Sequence, residues 1–519
     1  MLMIATGAGC LAMPPRAPEP VEEPDLSAVS GKMVPAPNEE PAPQGEPEAA
    51  AVAPAPPLDL TLDEALLKAL DNNRSLRIAR IRPAQRRESE TEAEAAFDPV
   101  WTGELAESRR HAVRPGMPGA DEEGTSIGLA LRGTRPSGAR WELGLDTERI
   151  GQEEADDRHA ARAGVAVTQP LRRGAGRTVT LVEIEQARLD TRLSEYELQA
   201  VAETLVAQIE AVYLDSVLAR RRQEIVEASL RLAERQQEET RQRIRVGGLP
   251  ATELAAAEAE VAVRREALIN ARSQEETLRI RLARLVEPER LAHADPRVTV
   301  QEEPPPEDAA VEPVESHLAF AVRARADLNQ ARLLAQRGDL DLVRTANGLL
   351  PRMDLFVRLG KSGYADSFGG SFEEMGGDAY DAALGLAFEW PAGNRAARAR
   401  HRRARLTREQ TEESLRNTED LVREDVHVAW LEVRRARQQA AATAATRALQ
   451  EEKLRAENAK FAAGQSTAIV VAQTQRDLLV AQVAEAEAAI RYRKARTDLY
   501  RLDGSLLDRR GIRLASRER

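Results

Sequence analysis

From about residue 175 to 245, and again from about 394 to 463, the sequence reads as one unbroken helix. At 1.5 Å per residue, about 70 residues span roughly 105 Å. An amphipathic helix of that length cannot bury its apolar stripe alone. Each long helix ends near a glycine, Gly247 or Gly464, and a shorter helix follows, over 252–286 or 467–502. Another short helix stands upstream in each half, over 61–96 and 316–348, and Thr61 with Glu64 forms a capping box at the start of the first. Each short helix is roughly 52 Å long. Two of them end to end match one long helix, so each half packs laterally along a rod.

Composition agrees. Of 519 residues, only 3% are aromatic, and Ala, Glu, Arg, Gln and Leu dominate, as in long helices. The net charge of -11 comes from mixed signs and speaks against a nucleic-acid binder. The basic run at 395–408 opens a helix without interleaved aromatics and reads as a solvated face. No stretch approaches eighteen consecutive apolar residues, which speaks against a transmembrane helix but leaves open a β-barrel of short alternating strands. His111, His159, His293, His317, His401 and His427 form no ligand-spaced cluster, and no acid–base carboxylate pair stands out. The expectation is therefore no metal, no cofactor and no enzymatic activity. Gly174 and Gly176 lack a βαβ context and read as hinges.

The order of motifs repeats. RIRVGGLPATEL near 243 matches KFAAGQSTAIVV near 460. Gly247 pairs with Gly464, and Tyr213-Leu214 with Trp430-Leu431, at the same separation of 217 residues. VTQPLRRGAGR (167–177) matches FEWPAGNRAAR (388–398), ALDNNRSLRIAR (69–80) matches AVRARADLNQAR (321–332), and FDPV (97–100) matches LLPR (349–352). A shared order of weak matches points to duplication. The domains are then a truncated export or lipoprotein signal at 1–13, a Pro/Ala/Glu-rich tether at 14–57, a first repeat at 58–286, an acidic Pro-rich linker at 287–314, a second repeat at 315–503 and a tail at 504–519. GAGC resembles a lipoprotein cleavage site with Cys10 as the lipidated residue; an inert cysteine is the alternative. Within the linker, VTV suits a short strand.

The segments between the short and long helices alternate with period two, at about 100–169 and 352–390. In AYDAALGLAFEW, Tyr380, Ala382, Leu384, Leu386, Phe388 and Trp390 share a face. Met353, Leu355, Val357 and Leu359 do so in the partner strand, and VWTGELA (100–106) and RAGVAVTQ (162–169) correspond to them in the first half. Membrane-barrel strands and soluble sandwich strands alternate alike. Two strands per half give four per chain. A further hairpin at 127–146, with RPSG as its turn and Trp141, Leu143 and Leu145 on its apolar side, falls outside that plan; external loop, prolonged barrel strands and soluble excursion are its three readings. Four strands do not close a barrel, and an open edge is intolerable in lipid, so closure requires several chains.

Taken together, the opening LTLDEALLKALDNN (60–73), FDPV and LLPR, VTQPLRRG and FEWPAGNR, and KFAAGQSTAIVVAQTQRDLLVAQ (460–482) resemble the TolC-like outer membrane efflux protein family over residues 58–503. The resemblance implies a mixed α/β membrane protein, a homotrimer whose twelve-stranded barrel in outer-membrane lipid continues as a periplasmic tunnel of helices. It implies passive conduction, with a periplasmic adaptor and an inner-membrane transporter as partners and no nucleic acid. The tip turns that meet the adaptor map onto Arg243, Gly247, Gly248, Glu253, Lys460, Gly464, Ser466 and Thr467, with Ser466 or Thr467 capping the returning helix. Pro99, Pro170, Pro351 and Pro391 fall at barrel–helix junctions. The second half departs from the pattern at Val470, where the first half has Glu253. The rival reading is a soluble periplasmic coiled-coil scaffold or adaptor, which leaves the strand pairs bounded by Pro170 and Pro391 unexplained.

Overall fold

The computed structural model describes residues 57–112, 120–152, 155–248, 250–293, 295–301, 311–463 and 465–513; Cys10, nearly all of the 14–57 tether, and Gly464 lie outside them. The described chain starts with β1 (Leu58–Leu60) and α1 (Leu62–Asn72). The capping box is formed: Thr61 Oγ1 accepts from the Glu64 N–H at 3.3 Å, and the Thr61 N–H donates to Glu64 Oε2 at 3.0 Å. The helix does not run unbroken to 96 as expected. Asn73 adopts an extended backbone, and its side-chain oxygen accepts from the N–H groups of Ser75 and Leu76, which starts α2 (Arg74–Glu94) afresh.

Four strands follow: β2 (Val100–Ala112), β3 (Ala120–Thr134), β4 (Arg140–Gln152) and β5 (Ala155–Pro170). A single turn, α3 (Arg177–Thr180), leads into the 64-residue α4 (Val182–Arg245), and α5 (Thr252–Val286) returns alongside it. The expected short strand is β6 (Val298–Val300), paired in parallel with β1. The second half repeats the helical plan with α6 (Val314–Ala324) and α7 (Ala326–Asn347). These are again split, at Arg325, which occupies the place of Asn73 in the matched segments 69–80 and 321–332. Then come β7 (Arg352–Ala365), the short α8 (Phe368–Glu373), β8 (Tyr380–Glu389), the 68-residue α9 (Arg395–Ala462), α10 (Ala468–Leu502) and α11 (Leu506–Arg509).

The helices form one layer. Near the strands the order of packed neighbours is α2, α4, α7, α9; further away it is α5, α4, α10, α9. Each long helix is thus flanked by shorter ones in succession, as the matched lengths required. The two larger apolar cores sit where the short elements change over, and a smaller one, Val226, Leu230, Ala233, Val261 and Leu268, joins α4 to α5 further along. Of the larger two, one contains Leu60, Leu62, Leu76, Ile209, Tyr213 and Val298; the other contains Leu328, Val422, Val426, Tyr492 and Leu499. Tyr213 and Trp430, matched in sequence, both grip backbone from the segment between the halves. The Tyr213 hydroxyl lies 2.8 Å from the Gln301 carbonyl, and Trp430 Nε1 donates to that of Glu312 at 2.9 Å.

The strand count differs from the sequence reading. One antiparallel sheet of six strands runs in the order β2-β3-β4-β5-β7-β8. The hairpin expected at 127–146 is neither loop nor excursion: its residues are the inner halves of β3 and β4, fully paired with β2 and β5. The first half therefore gives four strands and the second two. Alternation alone gives no register, which is why the additional pair fell outside the four-strand plan.

Candidate functional site: an apolar sheet face and two helical turns

Cross-strand partners place the sheet's side chains on two unlike faces. One face carries Trp101 and Leu105 from β2, Ile127, Leu129 and Leu131 from β3, and Trp141, Leu143 and Leu145 from β4. It continues through Val165 and Val167, then Met353, Leu355, Val357 and Leu359, then Leu384, Leu386 and Phe388. Most of these are solvent-exposed in the single chain, Leu105 and Leu384 each at 75%. Trp101, Trp141, Phe388 and Trp390 gather at the helix-facing end of this face, and charge appears at the other, where Arg109 Nε lies 2.7 Å from Glu123 Oε1. A contiguous apolar face of that size marks contact with lipid or protein, and aromatic side chains at its rim suit a membrane interface.

The opposite face is small or ionic. Gly128, Gly144, Gly164 and Gly360 alternate along it with Arg132, Glu142, Asp146, Arg162 and Arg358. Its charges pair across strands, Arg132 with Glu142 at 3.2 Å, Arg162 with Asp381 at 2.6 Å and Arg140 with Asp354 at 3.4 Å, and along β7, where Arg352 lies 2.8 Å from Asp354. Rings cover two of the sheet's glycines. A Cβ on Gly133 would lie 2.6 Å from the Trp141 ring, and one on Gly385 would lie 2.4 Å from that of Phe356.

The four junction prolines stand at strand ends. Pro99 precedes β2, Pro170 closes β5, Pro351 precedes β7, and Pro391 lies two residues past β8. Proline has no N–H to extend a ladder, so the strands stop there. The β3–β4 turn is locked to this junction. The Gly176 N–H donates to the Ser137 carbonyl at 3.1 Å, and Gly174 donates to Asn347 Oδ1 at 2.8 Å.

At the far end of the rods the two turns share one backbone bond. After Arg245, Gly247 has φ 72, the Gly248 N–H donates to the Arg243 carbonyl at 2.8 Å, and the Gly247 N–H to that of Ile244 at 3.0 Å. That pair of bonds is a Schellman motif, and the positive φ explains the glycine. In the second turn the Gln465 N–H donates to the Lys460 carbonyl, also at 2.8 Å. Arg243 and Lys460 are thus the equivalent acceptors, and Gly464 itself is outside the described residues. The expected side-chain cap is not formed. Thr467 holds the N-cap position without a side-chain bond, and the Ser466 hydroxyl turns to Glu457. Ser466 and Lys460 hold the Glu457 carboxyl below its usual range. Glu253 lies in the first turn of α5, where a negative charge meets the positive end of the helix dipole. The Arg243 guanidinium stacks 5.2 Å above the Phe461 ring, joining the two turns. Sequence reasoning missed Phe461 and Glu457, for which no motif exists.

Among the described residues no group of three or more His, Cys, Asp and Glu side chains is placed to hold a metal, and no helix is long and apolar enough to cross a membrane. A sheet with one broad apolar face, continuous with helices about 100 Å long, has the mixed α/β fold of membrane channels that extend beyond the bilayer. Residues 321–505 match the family model described as Outer membrane efflux protein. The Campylobacter jejuni CmeC outer membrane channel is similar over 86% of both chains at 14% identity and TM-score 0.64. The outer membrane protein VceC of Vibrio cholerae is similar over 85% of this chain and 96% of its own, at 16% identity and TM-score 0.62. The Neisseria gonorrhoeae MtrE outer membrane channel in its open state follows with 86%, 89%, 17% and 0.60. No curated protein matches in sequence. Residues 321–505 thus carry the outer membrane efflux protein match, and across most of its length the chain shares the fold of these outer-membrane channels.

Proposed function

We propose that the chain is one protomer of a trimeric outer-membrane channel that conducts, without chemistry of its own, substrates delivered by an inner-membrane transporter through a periplasmic adaptor. The observation that carries this reading is the open sheet. Among the described residues its β2 and β8 edges have a neighbour on one side only, and most of its apolar face is exposed. An uncovered face favours lipid, and unpaired edges in lipid demand closure by further copies. A soluble scaffold would leave the same face in water and both edges open to aggregation. The helices then continue from the barrel into the periplasm, and the four-helix row of each chain supplies one third of a tunnel wall. Exposed Leu421, Val428, Leu431 and Leu449 along α9 suit packing against neighbouring copies.

The turns around Arg243–Glu253 and Lys460–Thr467 form the tip and meet the adaptor. They present different chemistry, since Glu253 in the first answers to Val470 in the second. The repeated break at Asn73 and Arg325 and the shared turn bond support descent from a duplicated unit. Cell fractionation tests the reading. The protein sediments with outer membranes, needs detergent for release and has the mass of three chains. Recovery of properly expressed protein as a soluble monomer contradicts it.

A further inference from the structure

We infer that this channel's barrel has eighteen strands, six from each of three chains, with β3 and β4 as full members of its lipid-facing wall. This deepens the trimeric-channel reading and rests on it.

Two observations carry the count, and a third is compatible with it. First, β3 and β4 continue the apolar face without interruption. Trp101, Leu131, Leu143, Val165, Leu359 and Ala382 are successive partners across all six strands. A hairpin held in water has no reason to place Ile127, Leu129, Leu143 and Leu145 outward at this register. Second, the ends of the added hairpin suit the wall. Its RPSG turn is short and bonded to the helix junction through Ser137 and Gly176, whereas the longer connection after β7 lies at the opposite end. Short turns on the periplasmic side and longer ones outside are the habit of outer-membrane barrels. Third, the parity is right. All five pairings are antiparallel, so with six strands the β8 edge of one copy meets the β2 edge of the next antiparallel as well.

The geometry agrees with the helices below. Trp101 and Phe388 both mark the lower rim of the apolar face, yet Trp101 is in register with Ala382, six residues from Phe388. Six residues are roughly 20 Å along a strand, and five strand spacings are roughly 24 Å across, so strands whose rims lie at one depth tilt by about 40°. Six strands at that tilt cover an arc of about 38 Å. The four helices beneath, spaced at 8–10 Å, cover about 32–40 Å. Four strands would cover only about 25 Å. Three six-stranded arcs close a barrel about 36 Å across between backbones, as wide as the tunnel, so the size limit on cargo falls at the tip.

The test uses the full chain in proteoliposomes of brominated phosphatidylcholine. An environment-sensitive thiol label is placed on Leu129→Cys in β3, Leu143→Cys in β4, Leu384→Cys in β8 and Ala383→Cys on the polar face. The signal from the native Cys10, measured on the unsubstituted chain, is subtracted, and the copy number is read by native mass measurement. The expected result is equal quenching at 129, 143 and 384, none at 383, and three copies. Quenching at 384 without quenching at 129 and 143 overturns the eighteen-stranded wall and leaves the channel reading intact. Quenching at all three with two copies also overturns it, since twelve strands then close. No quenching at 384 removes the channel reading itself. Leu129→Cys and Leu143→Cys report independently, so one misfolded variant does not disable the test.

Discussion

At the scale of single residues, the tip turns make the sharpest demands. Gly247 sits in the left-handed region, where a branched side chain costs about 1–2 kcal/mol. Gly247→Val is therefore expected to speed amide exchange around the turn by about 5–30-fold while leaving the detergent-stable complex intact. Arg243→Ala removes the stacking on Phe461, worth about 0.5–1 kcal/mol at an exposed site, and should loosen the two turns in the same assay. Glu203 gives a pH dependence. Burial in α4, opposed by a hydrogen bond from Gln199, pushes its carboxyl from 4.5 up to about 7. The folded state then holds the proton more tightly than the unfolded one. Its contribution to stability is complete below about pH 4.5 and is lost as pH rises through about 7. Thermal unfolding should show Glu203→Gln losing less stability than the parent between about pH 5 and pH 8; an unchanged slope refutes the assignment. Glycine, proline and charge at the turns were legible in the sequence. The Phe461 stacking and the Glu203 burial were not, because both depend on helices hundreds of residues apart in sequence or packed from the other half.

At the scale of elements, the two sheet faces differ in what they tolerate. Leu384→Arg should cost about 2–4 kcal/mol if it lies near the bilayer midplane, whereas Ala383→Arg on the polar face should cost little. The yield of folded protein in outer membranes, compared between the two variants, reads the difference directly. Equal losses would mean the faces are assigned wrongly. The C-terminal ends of the long helices were legible to within a residue, because a glycine follows each; the start of α4 was not, since the chain breaks at Leu181 between α3 and α4, about seven residues beyond the expected start. The breaks at Asn73 and Arg325 were hidden, since the surrounding residues are good helix formers and tertiary packing imposes the bend. The strands were legible as alternating segments. Their number was not, because alternation shows which residues share a face but leaves open which strand lies beside which.

At the scale of the whole molecule, the length match between helices and the arc match between sheet and helices describe one wall of even width. The helical rods were read from length alone. The six-stranded sheet emerged only with its register, and it changes the expected barrel from twelve strands to eighteen. Imaging of the detergent-extracted native complex by single-particle electron microscopy measures this directly. The account predicts three copies around an open axis, twelve helical strands in cross-section below and eighteen β-strands above. A soluble monomer, or sheets that remain open in the assembled particle, would contradict it.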